Sequence, residues 1–272
     1  MSGRLYVGST LVGGTILSSR SSASGSWELT VTSGSTAHTP GAWTEVVAST
    51  SGATQWVTIQ IRNSTGGSNI GSATLLDIAV GASGSETAVV SSIPIGYRVG
   101  SGNISMIVAD FPAIIPSGSR ISIRTASALT SGSVPVTFST WVRPGVTASA
   151  IALGANTAAS QGVATTSGTA AWQEIVASCP TALSGVLFGP QLNGATSNVQ
   201  GVTHLLDVGV GASGSEVAVA SGWPVVVTTS ETLYAHLSPL VGCNIPAGAR
   251  VSVRRSGATT GPLDMILMGV PA

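Results

Sequence analysis

The chain has 272 residues, a length that allows two modest domains, each burying a core of its own. Charged residues make up only 7% of it, far below the roughly 25% usual for soluble proteins. All ten basic residues are arginine, and ten acidic residues balance them. A net charge of zero provides no long-range field to attract nucleic acid or an anionic membrane, so we expect neither partner. A surface of uncharged polar residues suits a subunit held in a larger assembly.

The two cysteines, Cys179 and Cys243, both lie in the second half of the chain. Because the repeated unit described below has no cysteine at the matching positions of the first half, we expect free and mostly buried thiols. No cationic and apolar signal peptide opens the chain, and no apolar run is long enough to span a bilayer. The default expectation is synthesis in the cytoplasm without export.

Residues 1–26 are rich in glycine and serine, and their large apolar residues are too scattered for a helix face. We predict an extended arm or a weak first strand. Two interpretations are equally open: a loose terminus, or an arm that docks on a neighbouring subunit.

From Trp27 onward, short strand-like runs alternate with clusters of Gly, Ser, Asn and Pro. No window places apolar residues at helical spacing, so we predict almost no helix. In the first half there are about eight such runs. They are Trp27–Val31, Trp43–Ala48, Gln55–Arg62, Ala73–Val80, Glu86–Val90, Ile104–Ala109, Arg120–Thr125 and Val134–Val142.

The second half of the chain repeats the first. The segment Leu75–Glu86 returns almost unchanged as Leu205–Glu216, 130 residues later. Two further pairs of segments recur at spacings of 129 and 130 residues, so the register holds over most of a domain. Regular short strands in a unit of this size predict two tandem antiparallel β-sandwiches, with the eight-stranded jelly roll as the best fit. We predict an arm at 1–26, one domain at 27–145 and a second at 146–272, because Arg-Pro-Gly at residues 143–145 breaks the last strand of the first copy.

The repeated charged residues fall on one face of their strands. Period-two alternation separates Asp77 from Leu76 and Ile78, and it places Arg120 and Arg124 on a common face. In a chain this poor in charge, Asp77 is expected to pair with Arg120 or Arg124 and to fix strand register. The corresponding candidates in the second half are Asp207 with Arg250 or Arg254.

Other uses of the repeated residues are less well supported by the sequence. An acid/base pair of Asp77 and Glu86 would require a cleft and shifted pKa values, and nothing in the sequence indicates a cleft. Trp43 and Trp172 are predicted to fill the sandwich core or its end, with ligand stacking as the alternative.

Signals for cofactors or metals are weak. Residues 209–214 match G-x-G-x-x-G, but a strand-like run follows where a dinucleotide site needs a helix. His38, His204 and His236 have no counterparts in the other copy and do not lie at metal-ligand spacing. No Gly-x-Ser-x-Gly elbow is present to hold a serine nucleophile. We therefore expect a chain that is not an enzyme, with no cofactor, no metal and no catalytic residues.

Two repeated motifs carry a resemblance to a known class of protein. Leu-Leu-Asp-Ile/Val-x-Val-Gly-Ala-x-Gly-Ser-Glu is followed later by Ile-Pro-x-Gly-x-Arg-Ile/Val-Ser-Val/Ile-Arg, over roughly residues 40–125 and 170–255. The pair resembles a module of tailed-bacteriophage virion structural proteins. The resemblance implies a structural protein of the particle, made in the host cytoplasm and located in the virion, with other virion proteins as partners and a homo-oligomeric state. Capsid decoration or cementing is the leading expectation, and a tail, collar, baseplate or fibre part is its alternative.

A different class also remains open, a carbohydrate-binding module that recognises a host glycan. Such a module needs exposed aromatic side chains beside polar ones on a sheet face or loop rim. Four tryptophans lack an aromatic counterpart in the other copy. They are Trp27, Trp56, Trp141 and Trp223.

Overall fold

The structure is a computed structural model, which describes ten stretches of the chain. They are residues 12–16, 29–62, 74–95, 106–127, 133–155, 162–165, 171–191, 202–227, 237–257 and 263–272. Eighteen β-strands and no helix occur in these stretches. Within the same residues, no helix is long and apolar enough to cross a membrane.

The first domain contains nine strands in two antiparallel sheets. In chain order they are β1 (Val12–Ile16), β2 (Leu29–Thr32), β3 (Thr44–Val47), β4 (Thr54–Arg62), β5 (Thr74–Val80), β6 (Thr87–Pro94), β7 (Met106–Ile115), β8 (Ile121–Ser127) and β9 (Ser133–Val142). One sheet has the order β1-β9-β4-β7, with β2 beside β1 on the same edge of β9. The other has the order β3-β8-β5-β6.

The second domain repeats this arrangement strand for strand. Its strands are β10 (Ile151–Leu153), β11 (Val163–Thr165), β12 (Gln173–Val176), β13 (Leu183–Gln191), β14 (Val202–Val210), β15 (Val217–Val227), β16 (Val241–Ile245), β17 (Val251–Ser256) and β18 (Leu263–Pro271). The five-stranded sheet runs β10-β18-β13-β16 with β11 also on β18, and the four-stranded sheet runs β12-β17-β14-β15.

Each domain is a β-sandwich with jelly-roll strand order, which confirms the predicted fold class. From β2 to β9, successive strands alternate between the two sheets except at the β5–β6 hairpin, so β2, β9, β4 and β7 face β3, β8, β5 and β6. Each domain also has one strand, β1 or β10, in addition to the eight strands of the jelly roll.

The side-chain alternation of the strands builds the cores. Leu76 and Ile78 of β5 and Ile121 and Ile123 of β8 are fully buried in the first domain. Their neighbours Asp77 and Arg124 lie opposite each other on the outer face of the same sheet. A core of this kind explains why strand-like alternation predicts all eight strands of the first copy.

The predicted arm contains one described strand. Within residues 1–26, Val12–Ile16 forms β1, which pairs with the end of β9 in the same chain. The rest of that segment lies outside the described residues. Between the domains, β9 ends at Val142 and β10 begins at Ile151, and residues 143–150 connect these two strands.

The two domains pack against each other through apolar side chains. On the outer face of the first domain, Leu75 of β5 and Pro94 of β6 form a cross-strand pair, and both are buried. β6 contacts β10 and β13 of the second domain. A Cβ atom added to Gly189 of β13 would collide with Cγ of Pro94, so the proline ring sits in the notch that this glycine leaves.

Polar contacts and further apolar residues complete the domain contact. The Thr74 amide donates to Oε1 of Gln191 at 3.1 Å. Leu187, Ile266 and Met268, on the outer face of the second domain's five-stranded sheet, are at most 1% exposed and belong to the same apolar cluster as the first domain's core. The contact therefore joins the edge of one four-stranded sheet to the outer face of the next five-stranded sheet.

Candidate functional site

The repeated aspartate is held by one arginine and by the backbone of a bulged strand. Arg124 Nε donates to Asp77 Oδ2 at 2.8 Å, and the Ser92 amide donates to Asp77 Oδ1 at 2.8 Å. Ser92 has a φ of 56° and lies where the pairing of β5 with β6 shifts register. Asp77 thus satisfies an amide that the bulge removes from the strand ladder. Of the two arginines proposed from sequence, the structure brings Arg124 to Asp77.

The repeated tryptophans lie outside the core, which differs from their predicted place. The guanidinium of Arg124 lies over the Trp43 ring at 4.3 Å, and that of Arg254 lies over Trp172 at 4.6 Å. An added Cβ on Gly209, an outward-facing position of β14, would lie 2.7 Å from the Trp172 ring. Both indoles therefore cover the outer face of a four-stranded sheet, where a cation–π contact holds the arginine that binds the aspartate.

The other repeated arginine binds two glutamates. Arg120 Nε donates to Glu45 Oε2 at 2.7 Å, and its Nη1 donates to Glu86 Oε1 at 3.0 Å and to the Gly81 carbonyl at 3.3 Å. Glu86 Oε2 accepts from the Gly84 amide at 2.9 Å, within the glycine-serine turn that ends β5. One guanidinium thereby ties β3, β8 and the turn between β5 and β6 together.

These contacts shift the pKa values of Glu86 and Arg120. Desolvation raises the pKa of Glu86, but hydrogen bonds from its own backbone, from Arg120 and from Gly84 outweigh it and bring the pKa below its usual value. The hydrogen bonds to Glu45 and then Glu86 raise the pKa of Arg120. Glu86 is therefore held in its charged form and is a poor proton donor or acceptor near neutral pH.

The second domain reproduces both networks. Arg254 Nε donates to Asp207 Oδ2 at 2.6 Å, and the Gly222 amide donates to Asp207 Oδ1 at 2.7 Å. Arg250 Nε donates to Glu174 at 2.6 Å, and its Nη1 donates to Glu216 at 2.7 Å. The Arg250 hydrogen bond is the main cause of the lowered pKa of Glu216. Two copies of one arrangement indicate that these residues hold the fold together.

The sequence did not lead us to predict that Glu45 and Glu174 bind Arg120 and Arg250. Glu45 and Glu174 each follow a repeated tryptophan by two residues, so their recurrence was a visible signal. Predicting their partner needed the pairing of β3 with β8, which sets Glu45 opposite Ser122 and beside Arg120. The alternative acid/base pair is not assembled, since Asp77 and Glu86 bind different arginines.

Histidine and cysteine chemistry finds little support among the described residues. His204 is fully buried in β14, His38 is half-buried with a φ of 63°, and His236 lies outside the described residues. Cys179 and Cys243 are free, and burial raises the pKa of each thiol. Within the part of the chain that the structure describes, no three His, Cys, Asp or Glu residues lie close enough together to hold a metal ion.

Two of the candidate tryptophans meet on the outer face of the first domain's five-stranded sheet. Trp56 and Trp141 are directly opposite each other on β4 and β9. The Trp56 indole donates to the exposed Asp110, and the Trp141 indole donates to Thr58 at 2.9 Å. Arg143 covers the Trp56 ring at 4.2 Å. Trp56 is only 7% exposed, whereas Trp141 is half-buried, so Trp141 offers the more accessible ring.

The other two tryptophans provide no such surface in the described structure. Trp223 stacks on Phe188, with ring centroids 6.0 Å apart and planes 9° from parallel, and it packs against the second core. Trp27 lies outside the described residues.

Comparison with known proteins gives no family for this chain. No protein-family model matches it, and no curated protein matches it in sequence. The STIV major capsid protein is similar in structure at a TM-score of 0.39 and 10% identity, over 89% of this chain and 94% of that one. Tripeptidyl peptidase 2 is similar at a TM-score of 0.26 and 12% identity, over 94% of this chain and 23% of that one. Both TM-scores lie below 0.5, too low to assign this chain a shared function.

Proposed function

We propose that this chain is a non-enzymatic structural component of a bacteriophage particle, with capsid decoration or cementing as its role. The observation that carries the proposal is the duplicated jelly roll in which the repeated charged residues bind one another. Arg120, Arg124 and their counterparts in the second domain are all engaged with carboxylates. The repeat therefore preserves an architecture, and the resemblance of its motifs to tailed-phage virion proteins supports a place on the particle.

The neutral surface supports the same proposal. A chain with 7% charged residues and no net charge gains little colloidal protection in solution. Fixed contacts with other virion proteins, made through hydroxyl, amide and apolar groups, suit such a surface.

The test is the copy number of the chain in purified particles, measured by quantitative mass spectrometry against the major capsid protein. A copy number comparable to that of the capsid protein is the expected result. A small number that matches tail symmetry would move the chain to the neck, tail or fibre. Absence from the particle would overturn the structural proposal.

Host glycan binding is the second candidate function, and one observation favours it. Trp141 is half-buried on an outer sheet face beside the exposed Asp110, an aromatic ring next to a polar group. If it binds sugar, host polysaccharide should shift the tryptophan emission of the wild-type chain, and Trp141→Ala should remove that shift. An unchanged spectrum at saturating polysaccharide would exclude this function.

A further inference from the structure

One surface of the second domain repeats a surface that is covered in the first. Leu205 of β14 and Pro224 of β15 are cross-strand partners, as Leu75 and Pro94 are in the first domain. The residue types are the same in both pairs, at a spacing of 130 residues. Their surroundings differ, because Leu75 is 2% exposed and Leu205 is 44% exposed.

The difference arises from the order of the domains. Within the chain, the Leu75–Pro94 pair is covered by the outer face of the second domain's five-stranded sheet, where Pro94 occupies the notch at Gly189. Among the described residues, no sheet face covers the Leu205–Pro224 pair in this way, and Pro224 is exposed. An exposed apolar pair at a position that elsewhere forms an interface marks an interaction surface.

Each chain also carries a five-stranded sheet face that covers no Leu–Pro pair among the described residues. It is the outer face of β4 and β9 in the first domain, where Gln60 and Thr137 lie opposite each other and are half-buried. These two residues occupy the register positions of Gly189 and Ile266 in the second domain. The exposed pair and this partly exposed face, on which Thr58 and Ser139 are 7% exposed, provide the two halves of a head-to-tail contact.

We propose that the Leu205–Pro224 pair of one chain binds the outer face of β4 and β9 in the first domain of a second copy. This contact would repeat between chains the packing that joins the two domains within one chain. A head-to-tail contact of this kind produces rings when its rotation closes and open chains when it does not.

The contact between copies should be weaker than the contact within a chain. Gln60 stands where Gly189 leaves a notch, and Thr58 and Ser139 stand where Leu187 and Met268 provide apolar surface. The proline therefore meets a more polar face, from which the Gln60 side chain must turn aside. Reversible association that depends on protein concentration is the expected behaviour.

Sedimentation velocity of the purified chain over a range of concentrations tests the proposal. Wild type should associate, and Leu205→Asp should weaken association by at least about tenfold, because a carboxylate would be buried in an apolar contact. Val217→Asp is the matched control, since Val217 is 67% exposed on β15, the strand of Pro224, but lies outside the pair. Gln60→Gly should tighten association by recreating the notch. Circular dichroism checks that each variant is folded.

Several results would overturn the proposal. A wild-type mass that does not change with concentration would do so, as would a Leu205→Asp variant that associates like wild type. Loss of association in Leu205→Asp without any effect of Gln60→Gly would place the partner face elsewhere.

Crosslinking identifies the partner face directly. In a Cys243→Ser background, Pro224→Cys and Gln60→Cys proteins are prepared separately and treated with a short bismaleimide, which adds to one thiol at each end. A crosslinked dimer only in the mixture supports head-to-tail binding. A dimer of Pro224→Cys alone would indicate two-fold pairing, and no dimer at all would contradict the contact. Because no particle is involved, these outcomes are independent of the copy-number test.

Discussion

At the scale of single residues, the few charges in this chain are used to satisfy backbone and side-chain groups at defined places. Asp77 accepts from Arg124 with one oxygen and from the Ser92 amide with the other. Its side chain is 15% exposed, so water replaces these contacts poorly. Removing the carboxylate leaves both donors without their acceptor.

The variant Asp77→Ala should therefore destabilise the first domain by about 1–3 kcal/mol, the usual cost of an unsatisfied buried polar group. Urea unfolding followed by tryptophan fluorescence measures the loss. Asp207→Ala should have a similar effect on the second domain, because its contacts are the same. Ser91→Ala, a change at an exposed residue of the neighbouring strand β6, is the control. An Asp77→Ala variant as stable as wild type would contradict the assigned role.

The two buried glutamates should make the stability of the protein depend on pH. Glu86 and Glu216 have side chains 5% and 3% exposed, and their pKa values are lowered in the folded state from an ordinary value of 4.5. A lowered folded-state pKa contributes stability above the unfolded-state pKa and loses it as the pH falls through the folded-state value. The urea midpoint should thus fall as the pH drops below 4.5.

A variant carrying Glu86→Gln and Glu216→Gln provides the comparison for this pH effect. It should be less stable than wild type at neutral pH, and its urea midpoint should change less between neutral and acidic solution. Equal pH dependence in the two proteins would show that other carboxylates dominate acid unfolding.

At the scale of strands, the same bulge in β6 and β15 is built from different residues. Ser92 has a φ of 56° in the first domain, and Gly222 has a φ of 71° in the second. A left-handed conformation costs a residue with a side chain roughly 1–2 kcal/mol, a cost that glycine avoids. Glycine loses more backbone freedom on folding, which offsets part of that gain.

Reciprocal substitutions should therefore change stability in opposite directions. Ser92→Gly should stabilise the first domain by up to about 1 kcal/mol, and Gly222→Ser should destabilise the second by a similar amount. Thermal unfolding of the two variants and wild type measures the shifts. Shifts of the same sign would mean that the bulge conformation does not control the effect.

The strands themselves were predictable, whereas some of their contacts were not. Alternation of apolar residues places Leu76 and Ile78 inside and Asp77 outside without any knowledge of the partner strand. The contacts between side chains of different strands depend on how strands distant in sequence pair. The choice of Arg124 over Arg120 depends on the register of β5 with β8, which sets Asp77 opposite Arg124. Trp43 is predicted to fill the sandwich core or its end, but an arginine on the outer face covers its ring.

At the scale of the whole molecule, duplication gives two similar domains with different surroundings. The first domain offers its Leu75–Pro94 pair to the second, while the second exposes its equivalent pair. The sequence shows both pairs but does not show which one is covered. That asymmetry follows only from the way in which the two domains pack.

Gly189 contributes to the domain contact by leaving room for the Pro94 ring, and the effect of filling that room should be measurable. Gly189→Ala places a methyl group where Pro94 packs, and overpacking of this kind costs about 1–3 kcal/mol. Gly242→Ala is the matched control, because Gly242 lies in β16 of the same sheet with open space at its Cβ. Calorimetry should show a lower unfolding temperature for Gly189→Ala than for Gly242→Ala.

A double-mutant cycle assigns this cost to the contact between Gly189 and Pro94. Pro94→Ala removes the ring that the new methyl group would strike, so the second substitution should cost less in the presence of the first. The coupling should be absent when Pro94→Ala is combined with Gly242→Ala. If Gly189→Ala destabilised both backgrounds equally, its effect would come from strand β13 itself, and the proline notch would not hold the domains together. A positive coupling would establish the contact within the chain that serves as the template for contacts between copies.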